Sequence, residues 1–199
     1  MNLEEYNKVK DFTYTEYCDY LKKKYGEAKC DYFTKNFNRN NKISRTKEGL
    51  YCHHIDEDKF CMLSTPQYAK MVPFDYQKAD RLCYCDYLEH LFLHILICKY
   101  PNPDFSFVSV GVGGVLNYLV PELNDVYSGF KASSEWMRNC HSKIINDKEV
   151  YLILLQRFLK ETGRPHDCLL TSYNQKFGLW QIENNFELFD EFRKLKTYF

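Results

Sequence analysis

The chain holds six histidines, and four of them fall in two close pairs: His53 and His54 in GLYCHHIDED, and His90 and His94 in LEHLFLHIL. His90 and His94 are four residues apart, a spacing that on a helix projects both rings from one face, where two imidazole nitrogens can converge on one cation. A third nitrogen from the HH pair would leave such an ion with open positions for water and a substrate oxygen, the condition for metal-assisted hydrolysis rather than a closed structural site. The neighbouring imidazole, with an ordinary pKa near neutrality, suits a general base. Asp86, four residues before His90, either orients that ring from behind or caps the helix.

The elements that must position these residues are short. LYCHHI opens apolar and runs into the acidic DED, which predicts a strand ending in a turn, and RLCY predicts a second short strand. From Asp86, a good N-cap, DYLEHLFLHILICKY is apolar around most of its circumference and reads as a buried helix ending before Pro101. Residues 59–80 hold Pro66 and Pro73 without a clear period and read as an ordered loop with a helical turn. Upstream, Thr13 with Glu16 forms a capping-box pattern and Gly26 a C-terminal cap, predicting a helix over 14–25. A further helix is expected to about Phe37, followed by the loop NFNRNNK. Downstream, helices are expected around VGGVLNYLV, SEWMRNCHSKI, DKEVYLILLQRFLKETG closed by Gly163, and FELFDEFRKLK. Gly111-x-Gly113 lacks the third glycine of a dinucleotide loop, where Leu116 stands, and reads as a tight helix start. His141 and His166 have no converging partners and read as ordinary core or surface residues.

Strand, loop, strand and helix, with HH on the first strand and H-x3-H on the helix, resemble the HNH endonuclease family and its ββα-metal fold. The resemblance spans roughly residues 45–98. It implies that His53, His90 and His94 are metal ligands and that His54 is the general base activating water. In that family an asparagine nine residues before the first helical histidine holds the loop and orients the base. Arg81 stands at that register here, so the resemblance makes it a candidate catalytic residue, one that contacts a phosphate or else marks a scaffold without catalysis. The glycine pair common after HH is absent, and the loop from Ile55 to Asp80 is longer than in colicin-type DNases. Glu48 and Arg45 lie where family members keep charged residues near the phosphate.

Composition bounds the rest. A chain of 199 residues, 45% hydrophobic and 17% aromatic, can bury a sizeable core. The formal net charge is zero, unlike proteins whose only task is gripping nucleic acid, so any polyanion site must be local. The candidate is KNFNRNNKISRTK, where Lys35, Arg39, Lys42 and Arg45 meet no acid; a plain solvated loop is the alternative. The 17 tyrosines and 15 phenylalanines offer stacking surfaces in principle, but none is assigned a role. Nine cysteines, an odd number with no CxxC pair, read as reduced core thiols rather than a disulfide framework or zinc ribbon. MNLEEYNKVK has no apolar export segment and no run is long enough to span a bilayer, so a cytosolic protein is expected.

The expected architecture is a mainly helical α+β protein: an N-terminal helical segment and basic loop over 1–44, an HNH-like ββα-metal core over 45–100, and a C-terminal helical region over 101–199 packed on it. The expected activity is hydrolysis of phosphodiester bonds in nucleic acid, DNA before RNA, with one divalent ion (Mg, Mn, Ni or Zn). The alternative is a catalytically silent HNH-like scaffold of a phage or mobile element that binds nucleic acid or a protein partner, such as a host defence nuclease. In a third reading the histidines hold a structural zinc.

Overall fold

The computed structural model describes residues 1–99, 110–170 and 182–197. Thr13 accepts the Glu16 N–H on its hydroxyl, while the Glu16 carboxylate accepts the Thr13 N–H at 2.8 Å, so a reciprocal box starts helix α2 (Tyr14–Tyr25). Gly26, at φ +80°, ends it. Helix α1 (Leu3–Val9) precedes it. The helix expected to about Phe37 does not form: Tyr32 N–H donates to the Gln77 carbonyl at 2.8 Å, Asn40 N–H to the Tyr32 carbonyl at 2.9 Å, and Phe33 bridges Arg39. These long-range partners take the backbone groups a helix would have used.

Strand β1 (Tyr51–His54) pairs antiparallel with β2 (Leu82–Cys85), with His53 opposite Cys83 and His54 opposite Leu82. The connection carries only the short helix α3 (Pro66–Ala69) and two 3₁₀ turns. Because strand side chains alternate, β2 serves two cores. Cys83 and Cys85 join the large helical core, whereas Leu82 and Tyr84 join a smaller cluster with Tyr32, Phe33, Ile43 and Leu50. The same alternation sends His53 and His54 to opposite faces.

Helix α4 (Tyr87–Lys99) follows β2 directly. Its first turn is closed by a second reciprocal box, Glu89 N–H to the Asp86 carboxylate at 2.8 Å and Asp86 N–H to the Glu89 carboxylate at 2.6 Å. Asp86 is therefore a cap, and its other oxygen is paired with the Met1 amine. Leu88, Leu91, Phe92, Ile95 and Leu96 are fully buried; each such side chain contributes about 1.5–3 kcal/mol by leaving water. The helix thus forms a stiff base for His90 and His94. Helix α5 (Val112–Gly114) runs through a π-helical turn, Val115–Leu119, into α6 (Val120–Tyr127). Helices α7 (Glu135–Ser142), α8 (Lys148–Thr162), α9 (Asp167–Leu170) and α10 (Phe186–Phe192) complete the described chain, with Gly163 in the left-handed region after α8. The large core draws side chains from Met1 through to Phe192. All nine cysteines are free thiols. Among the described residues, no helix is long and apolar enough to cross a membrane.

Candidate metal centre

β1 and α4 bring His53, His90 and His94 together, with ring centroids 5.0–5.5 Å apart. The turn after β1 adds a fourth donor. Glu57 N–H bonds back to the His54 carbonyl at 3.1 Å, and this tight turn swings the Glu57 carboxylate beneath the strand. One donor atom from each of His53, Glu57, His90 and His94 lies within 4.8 Å of all the others, an arrangement that can hold a metal ion. Glu57 Oε2 is 3.4 Å from His94 Nε2 and 3.7 Å from His53 Nδ1.

The protonation states suit a cation. Burial, followed by the neighbouring imidazoles, keeps His90 well below its ordinary pKa, and burial pushes His53 down to about 3. Burial alone would raise the Glu57 pKa, but the surrounding histidines hold it far below the usual carboxylate range. At neutral pH His53 and His90 are therefore neutral imidazoles beside the Glu57 carboxylate anion, donors in the deprotonated state a metal requires. The Nδ1 atoms of His53 and His94 are buried without a hydrogen-bond partner among the described residues.

The outer nitrogens of the two adjacent histidines have different partners. His53 Nε2 lies 2.8 Å from the Tyr14 hydroxyl of α2, and Nδ1 lies toward Glu57. His54, on the opposite face, packs against Tyr32 at 4.5 Å between centroids and its Nε2 lies 3.0 Å from Gln77 Oε1. The Gln77 amide nitrogen donates to the Leu63 carbonyl at 3.2 Å, so the amide oxygen must face His54. His54 Nε2 thus carries the hydrogen, and its bare Nδ1 sits 3.8 Å from Glu57 Oε1. His54 itself is fully buried. The two adjacent histidines meet the two oxygens of one carboxylate from opposite faces of one strand.

Arg81 lies just before β2, where its carbonyl accepts the Ile55 N–H at 3.0 Å. Its guanidinium grips the fully buried carboxylate of Asp56 through Nε at 2.7 Å and through a second, terminal nitrogen. Lys59 pairs with the same carboxylate at 2.7 Å. Asp56 and Arg81 therefore brace the turn that presents Glu57.

The basic stretch is divided. Arg45 is committed to Glu48, the Tyr25 carbonyl and the Tyr84 ring. The Arg39 guanidinium lies 5.4 Å above Tyr32, on the His54 side of the strand. Lys35 and Lys42 are exposed.

A cavity of about 400 Å³ opens beside the cluster, with Glu57, His90 and His94 in its wall. Its opposite wall is the segment from Val110 to Leu119. Gly111, at φ +90°, and Gly114 let that segment close on α4: a Cβ at Gly114 would lie 2.4 Å from His94 Nδ1, and one at Gly111 2.9 Å from the His94 carbonyl. The VGVGG run is a tight helix start, as its spacing implied, and its glycines are required by the approach to His94.

No family model, no curated protein and no solved structure matches this chain.

Proposed function

We propose that the chain is a metal-dependent, HNH-like endonuclease of the host cytosol that hydrolyses phosphodiester bonds in nucleic acid, DNA foremost. One observation carries this reading: His53 on the first strand and His90 and His94 on the helix, the ligands that the HNH resemblance implies, converge with Glu57 of the following turn, while His54 stands apart on the other face of the strand. On this reading β1, β2 and α4 are a ββα-metal core. His53, Glu57, His90 and His94 hold one divalent ion, which supplies charge stabilisation to a phosphate oxygen. His54 Nδ1 accepts the proton of the attacking water, and Gln77 Oε1 stabilises the resulting imidazolium from the opposite nitrogen. Arg81 keeps the Asp56–Glu57 turn in place, a positioning role in place of the family's asparagine. Lys35, Arg39 and Lys42 contact the polyanion outside the metal centre.

The rival is a catalytically silent scaffold that binds nucleic acid or a protein such as a defence nuclease. It is favoured by the commitment of Arg81 to Asp56 and by the burial of His54. A purely structural zinc fits a four-donor set, but the cavity opening onto three of the donors supports a site made for access. Metal analysis of the purified protein together with plasmid nicking in Mg, Mn, Ni and Zn tests these readings. Bound metal with nicking is expected; bound metal without nicking in any of the four supports the scaffold.

A further inference from the structure

The cavity beside the metal centre has a wall chemistry that the hydrolytic reading does not use. No lysine or arginine lines it among the described residues. Among the described residues a negatively charged backbone running through it would meet no lysine or arginine, and its charged wall is Glu57 with His90 and His94. The other walls are apolar or uncharged: Val110 and Leu119 at the back, Met62 and Thr65 from the inter-strand loop, and Asn117 with Tyr118 on the π-helical turn. Tyr118 is 55% exposed although aromatic, and π turns often mark functional sites. A concave, mostly apolar space with an accessible ring and one carboxamide accommodates a flat heterocycle, the ring stacking on its face and the carboxamide bonding its edge.

We infer that this cavity receives an unstacked nucleobase of the strand whose phosphate meets the Glu57, His90 and His94 wall, so that the preferred substrate is single-stranded or locally opened nucleic acid. The inference rests on the proposed hydrolytic reading for its phosphate. Tyr118 supplies the stacking platform and Asn117 the edge contact. A base inside an intact duplex cannot reach a concave site without leaving its stack, which costs a few kcal/mol, whereas single strands offer bases freely to aromatic side chains.

The test uses the full-length protein loaded with each of Mg, Mn, Ni and Zn. Calorimetry compares thymidine 5′-monophosphate with inorganic phosphate, and hydrolysis compares thymidine 5′-(4-nitrophenyl phosphate) with methyl 4-nitrophenyl phosphate. The nucleotide should bind at least about ten-fold more tightly than phosphate, and Tyr118→Ala should reduce that preference by roughly 5- to 150-fold, the range of a lost base stack. Tyr118 is exposed, so the variant should fold; its melting temperature checks this. Equal binding of nucleotide and phosphate, or a Tyr118→Ala effect of the same size on both, overturns the inference. Nucleotide preference without hydrolysis of either ester defeats the enzymatic reading and leaves the base site standing. Hydrolysis of both esters with equal KM, alongside equal binding, defeats the base site alone.

Discussion

Tyr14 reaches the candidate metal centre from a helix outside the strand, strand and helix unit, and its hydroxyl contacts His53 Nε2 while Nδ1 lies toward Glu57. Tyr14→Phe should lower metal affinity by about 10–100-fold, the usual cost of losing a partner behind a ligand, with little change in secondary structure; competition with a chromogenic chelator reads it, and an unchanged affinity would show the contact to be incidental. Arg81→Ala strands the buried Asp56 carboxylate with Lys59 alone. Because the guanidinium is partly open to solvent, the loss should be about 1–3 kcal/mol, below the ~3–5 kcal/mol of a fully buried pair, measured by urea denaturation. If Arg81 instead works only on substrate, the variant will be as stable as wild type. His90 and His94 were legible as a converging pair from their spacing, because the period of a helix puts both on one face; His53 was implied by the HNH resemblance. Glu57 was not: it is the middle of three consecutive carboxylates, Asp56, Glu57 and Asp58, and only the tight turn after His54 selects it. The DED run was visible in the sequence as a turn signal, which hid its chemistry.

Among elements, the π-helical turn and its preceding glycines are as important to the site as the strands. Gly114 has helical backbone angles, so on propensity alone Gly114→Ala should stabilise its helix by roughly 0.5–1 kcal/mol. Its new Cβ would instead lie 2.4 Å from His94 Nδ1 and 2.5 Å from Cε1. The ring must move, and metal affinity should fall while helicity is retained; circular dichroism and metal titration together decide which effect wins, and unaltered metal affinity would mean that the wall yields rather than the ring. Helix α2, both strands and α4 were predictable because caps, a short apolar run before a turn and an all-round apolar helix are local signals. The expected helix before Phe37 was wrong because its backbone groups are claimed by Gln77 and Asn40, partners that no local pattern reveals. Spacing identified VGVGG as a helix start, but the reason for its glycines, the proximity of His94, is tertiary.

Across the whole molecule, the candidate metal centre adjoins two apolar clusters built from other side chains. Helix α4 packs on α8 and α2 through fully buried side chains, so removal of the ion should leave a folded protein. Saturating metal at a hundred times its Kd adds about 2.7 kcal/mol; EDTA should therefore lower the melting temperature without abolishing cooperative unfolding. Complete unfolding on chelation would assign the ion a structural role. The mainly helical class was legible from hydrophobic periodicity, whereas the division of one two-stranded sheet between two cores was not, since it depends on what packs against each face. That division gives His53 and His54 different surroundings, and in the proposed reaction they have different tasks. The most direct test measures metal content, melting temperature and plasmid nicking on wild-type protein and on His54→Ala, side by side. The account predicts the same metal content in both, a folded variant, and nicking reduced by about 10²–10⁴-fold, the contribution of a general base; a folded, metal-loaded His54→Ala protein that nicks at the wild-type rate, or a metal-loaded wild type that nicks nothing, would contradict it.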